Sequence, residues 1–103
     1  MHSLPTLPQM FHELVALPSV SSENRAHDMG NLAVIERLAN WLQPLGFACE
    51  ILPLPGNPSK ANLIATLGSG PGGLVLSGHA DTVPWDDSGW DSDPFTLDER
   101  EGR

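Results

Sequence analysis

The residues of this chain best suited to chemistry are a histidine and an aspartate, two places apart. They close a dense apolar run: Leu74-Val75-Leu76-Ser77-Gly78 leads into His79-Ala80-Asp81-Thr82-Val83-Pro84. On extended backbone, residues two apart point to the same side. His79 and Asp81 would then share one pocket, the imidazole as a metal ligand and the carboxylate as the group that fixes its tautomer. The pair alone is a weak motif. A lone histidine at a strand end is more often a hydrogen-bonded structural residue than a ligand.

Competing chemistry finds less support. A zinc site takes three or four N, O or S ligands, and only His79 is a convincing candidate. His2, His12 and His27 lie near the N-terminus or at helix ends, with no ligand-like neighbour, and read as surface residues. Ser77 sits inside the apolar run, and no Gly-x-Ser-x-Gly elbow is present. The glycine-rich stretch Gly68-Ser69-Gly70-Pro71-Gly72-Gly73 is followed by neither Lys-Ser nor Lys-Thr, so it is a turn and not a phosphate loop. Cys49, the single cysteine, reads as core packing.

The elements that must position the pair follow from periodicity. Thr6-Leu7-Pro8-Gln9 has capping-box spacing, and Met10, Phe11, Leu14, Val15 and Leu17 recur as on a helix that Pro18 ends. Residues 19–24 read as a loop. Leu32, Ile35, Leu38, Ala39, Leu42 and Leu45 form the stripe of a second helix, with Val34 and Trp41 on its flank. Asp28 is its expected N-cap and Gly46 its stop. Phe47, Cys49 and Ile51 alternate as in a strand, and residues 61–67 make another. Between them, three prolines in residues 53–59 predict a loop. The short glycine-rich turn predicts that strand 61–67 pairs antiparallel with the apolar run. That run has the composition of a strand covered on both faces. Residues 85–95 read as a long loop whose Trp85, Trp90 and Phe95 anchor it to the body of the protein. Residues 96–101 suggest a short edge strand turning at Glu101-Gly102.

Composition sets the class. With 40% hydrophobic and 17% charged residues in 103, the chain is a globular domain with a modest core. Net charge is −8, with only five Lys and Arg, which speaks against nucleic acid or an anionic membrane as partner. Eight of the thirteen acids lie at or after Asp81, as an acidic field or simply a solvated loop. One cysteine permits no internal disulfide, and neither a leader nor a spanning apolar run is visible. The expectation is a cytoplasmic protein.

The block Ser77-Gly78-His79-Ala80-Asp81-Thr82-Val83-Pro84, with Trp90 and Asp93-Pro94-Phe95 beyond it, resembles the first metal-site segment of the M20 metallopeptidase family. Pro55-Gly56-Asn57, Asn62-Leu63 and Val83-Pro84-Trp85-Asp86-Asp87 resemble its deacetylase members most, although desuccinylases and carboxypeptidases share the His-x-Asp block. The resemblance implies an α/β fold, the N-terminal part of a zinc-hydrolase (phosphorylase/hydrolase-like) catalytic domain with a mixed sheet flanked by helices. It implies a pair of Zn²⁺ ions, with Co²⁺ as an alternative, one of them bound by His79. Asp81 then takes the catalytic role of fixing the imidazole. The substrate would be a small N-acetylated amino acid, and the whole protein a homodimer. On this reading residues 1–103 are the N-terminal portion of the catalytic domain. The bridging aspartate, the glutamate pair and a lid or dimerisation domain belong to later segments. The chain alone is then inactive and prone to self-association. Against the enzymatic reading stands a small interaction module in which His79 and Asp81 only pack.

Overall fold

The computed structural model describes residues 4–103; His2 lies outside the described residues. Its elements are helix α1 (Leu7–Val15), helix α2 (Leu32–Leu42), a single 3-10 turn at Gln43–Leu45, strands β1 (Ala48–Leu54) and β2 (Asn57–Thr66), and a second 3-10 turn at Asp87–Gly89. The fold class is mixed α/β, with one two-stranded antiparallel sheet among the described residues.

Helix α1 starts where its capping box places it. The Thr6 hydroxyl accepts from the Gln9 amide, and the Gln9 side chain accepts from the Thr6 amide at 2.8 Å. No residue of α1 is buried, and Leu7 and Phe11 remain exposed. An ion pair between Arg37 and Glu13 at 2.8 Å ties the helix to α2.

Helix α2 begins at Leu32 with Asn31, not Asp28, as its N-cap. Asp28 is drawn away by a stronger partner, the Lys60 ammonium at 2.7 Å. Val34, expected on the flank, is buried beside Ile35 and Ala39, because the helix presents that edge to the sheet. Leu45, expected in the stripe, is exposed. Gly46 stops the helix in the left-handed region, at φ 97°.

The strands correct the expected loop. Ala48 faces Thr66 and the ladder runs to Pro53 opposite Ala61, after which the register shifts and Leu54 faces Asn57. The connection narrows to Pro55-Gly56. Prolines are tolerated because each strand of a two-stranded sheet is an edge. Residues 58–60 bulge out of the ladder. That bulge meets the start of α2: the Asn31 amide donates to the Ser59 carbonyl at 3.0 Å. The Asn31 side chain donates to the Ala61 carbonyl at 3.1 Å and accepts from the Ala61 amide at 2.8 Å. Gly30 permits the approach, since a Cβ there would collide with the Ser59 carbonyl oxygen.

The apolar run is not the third strand. Leu74, Val75 and Leu76 are 84%, 88% and 88% exposed, and none of them joins β1 or β2. Gly68, Gly70, Gly72 and Gly73 all have positive φ, which no ladder can continue, and they lead the chain away from β2. Residues 96–101 form no strand either, although the turn does form. Glu101 and Gly102 have φ 53° and 77°, and Arg100 and Arg103 exchange both backbone hydrogen bonds at 2.9 Å. The radius of gyration is 15.9 Å, against roughly 13 Å for a compact domain of this length.

Candidate functional site

What holds residues 79–82 in place is the stretch that reads as a loop after α1. Pro18 turns the chain out of the helix, and Val20 then forms an isolated parallel bridge with Thr82. The Thr82 amide donates to the Ser19 carbonyl at 3.1 Å, and the Ser21 amide donates to the Thr82 carbonyl at 2.9 Å. The Ser19 hydroxyl donates to the Ala80 carbonyl at 2.8 Å. Val20 is the most deeply buried side chain, and its carbonyl accepts from the Met29 amide at 2.7 Å.

On this support His79 and Asp81 come together. His79 Nδ1 lies 2.9 Å from the Asp81 carboxylate and 3.1 Å from the Asp81 carbonyl oxygen. Both partners are acceptors, so Nδ1 carries a proton, and in the neutral ring Nε2 keeps the lone pair. The His79 side chain is 82% exposed and that of Asp81 50%. The ring therefore opens to water, and the alternative of a histidine packed in the core does not describe it.

The pair lines a pocket of about 490 Å³, together with Ser19, Asn31, Lys60 and Asn62. That is the size of a small-molecule site. Its cation is already engaged. The Lys60 ammonium bonds the Asp28 carboxylate, which also accepts from the Ser22 amide at 2.9 Å. The Lys60 hydrogen bond, then the Ser22 amide, hold the Asp28 carboxyl below the usual range for an aspartate.

No group of three or more His, Cys, Asp or Glu able to hold a metal ion occurs among the described residues. His12 and His27 are exposed and stand apart from the pair. Cys49 is half-buried on β1. Two of the acids beyond Asp81, Asp86 and Asp93, serve local turns. Asp86 accepts from the Ser88 amide and hydroxyl, and the hydroxyl bond first, then the amide, lower its pKa. Asp93 accepts from the Phe95 amide and the Thr96 hydroxyl. Trp85 and Phe95 stack edge to face at 5.0 Å and close the loop on itself. Trp90 is exposed rather than an anchor.

The chain is 53% identical over 100 residues to acetylornithine deacetylase of Proteus mirabilis (strain HI4320), across 97% of this chain and 26% of that protein. To acetylornithine deacetylase of Pasteurella multocida (strain Pm70) it is 48% identical over 103 residues, across 100% of this chain and 27% of that protein. In sequence, the chain is similar to a segment of the acetylornithine deacetylases. The same-named protein of Photorhabdus laumondii is 49% identical over 100 residues, again across 97% of this chain. The chain thus spans about a quarter of the length of these relatives. No protein-family model matches it.

Sequence reasoning found the pair and missed its supports. Nothing in Ser19-Val20-Ser21 has strand periodicity, and an asparagine at a helix start ordinarily signals a cap. The one available signal was Val20, an isolated β-branched residue after a proline.

Proposed function

We propose that this chain is the histidine-bearing segment of a metal-dependent amidohydrolase that removes acetate from N-acetylornithine. The observation that carries the reading is the contact of His79 Nδ1 with Asp81 at 2.9 Å, at the edge of an open pocket of about 490 Å³. The donor set fits a divalent cation as far as one ligand: a neutral imidazole with Nδ1 engaged offers Nε2 to Zn²⁺ or Co²⁺. When bound, such an ion supplies Lewis acidity, polarising an amide carbonyl and activating water at neutral pH.

The chain's own residues do the rest of what can be derived. Asp81 holds the proton on Nδ1 and keeps the ring oriented. Ser19, Asn31 and Asn62 give the pocket neutral polar groups, and the Asp28 carboxylate balances Lys60. A single imidazole holds a divalent ion weakly, so the remaining ligands lie on other segments of the enzyme. The names of the relatives favour acetylornithine over succinylated substrates.

The test is a graft of this chain into the Proteus mirabilis enzyme in place of the segment it matches. With Zn²⁺ or Co²⁺ the graft hydrolyses N-acetylornithine, and its His79→Ala variant loses activity by several orders of magnitude. The chain alone shows no turnover. An active His79→Ala graft would refute the reading. The exposed side chains of Leu74, Val75 and Leu76 favour self-association of the chain on its own. Sedimentation showing a monomer throughout the micromolar range would exclude that.

A further inference from the structure

We infer that Ser19 is a positioning residue for the His79/Asp81 pair, setting the imidazole tautomer through the Ala80 peptide. The inference rests on the amidohydrolase reading for its meaning, but not for its geometry. Ser19 is 5% exposed and is the buried polar side chain of the described residues. Its hydroxyl donates to the carbonyl of Ala80, the residue between the two members of the pair. Its own carbonyl accepts from the amide of Thr82, immediately after Asp81. One residue thus grips the peptide between the pair and the amide that follows it. Two residues point to one side only while the backbone between them keeps its orientation. Rotation of the Ala80 peptide would part Nδ1 from the carboxylate. The ring would then be free to take the Nε2–H form, in which the nitrogen aimed at solvent has no lone pair to give.

The hydroxyl is set off from mere packing by its neighbour. Val20 is buried deeper than Ser19, yet its side chain makes no hydrogen bond to the site. A Val20→Ala variant therefore loosens the packing of the seam but leaves the Ser19 hydroxyl to hold the Ala80 carbonyl. Ser19→Thr keeps the hydroxyl.

The experiment reads the His79 ring nitrogens by NMR in the chain itself, at a pH where the imidazole is neutral. The parent chain and Ser19→Thr give the Nδ1–H form. Ser19→Ala shifts the population towards Nε2–H, and Val20→Ala does not. In the grafted enzyme, Ser19→Ala lowers kcat roughly tenfold, as loss of a ligand's supporting contact does, with KM within about twofold. An unchanged tautomer in Ser19→Ala, or an equal shift in Val20→Ala, would overturn the inference, as would a graft with full kcat. An active His79→Ala graft instead removes the amidohydrolase reading, while the tautomer populations still decide the role of Ser19.

Discussion

Residues 7–66 and residues 68–103 are held together by different means. Among the described residues every buried apolar side chain, Val20, Val34, Ile35, Ala39 and Ala61, lies in the first region. There, α2 packs on a strand pair, and Asn31 fastens the helix start to β2. The second region contributes no buried side chain. Its hydrogen bonds are short-range turns, except those that reach Ser19 and Ser21. Yet it carries the His79/Asp81 pair. The chemistry thus sits on the loosely held part and borrows its geometry from the firm part at one seam.

The largest effect follows from removing the clamp inside the firm part. Asn31→Ala leaves the amide and carbonyl of the buried Ala61 without partners. Each unsatisfied group costs about 1–3 kcal/mol, so the loss for the two is about 2–6 kcal/mol. A urea midpoint that falls with unchanged slope is the expected outcome. Val20→Ala should cost less, about 2 kcal/mol for two buried methyl groups. It acts at the seam, so hydrogen exchange should accelerate at Thr82 before it does at Ala61. Equal acceleration at both would merge the two regions into one cooperative unit.

What was legible in the sequence follows the same division. The capping box at Thr6 and the stop at Gly46 are local devices, written in neighbouring residues, and both formed where expected. The same holds for the juxtaposition of His79 and Asp81, which needs only a short stretch of backbone. The misreadings depend on partners distant in sequence. Asp28 lost its cap role to Lys60, thirty-two residues away. Ser19 gained its role from Ala80, sixty-one residues away. The apolar composition of residues 74–76 states what would cover them, not whether a neighbour is at hand.

Acid should separate the clamp from the ion pair beside it. Asp28 is held below its ordinary pKa by Lys60, so it is depressed in the folded state relative to the unfolded chain. Its stabilisation is therefore complete above the unfolded aspartate value and is lost as pH falls through the folded one. Asp28→Asn should flatten the fall in stability below about pH 4 and leave the His79 tautomer untouched. Thermal melts at pH 7 and pH 3, for parent and variant, measure it. A variant with an undiminished acid slope would place that slope on other carboxylates.

The smallest effect sharpens the comparison most. Val75 is 88% exposed, so Val75→Ser removes little that folding protects. Its cost in the chain alone should be under about 0.5 kcal/mol, that of an ordinary surface change. The composition of its run nevertheless suits a strand covered on both faces. If the grafted enzyme supplies that cover, the same substitution buries a hydroxyl where a methyl was packed and costs about 2 kcal/mol or more. Urea midpoints for the two contexts give the difference directly. A near-zero cost in both would mean that the run stays in water even in the larger protein. The looseness of residues 68–103 would then be a property of the sequence and not of its missing neighbours.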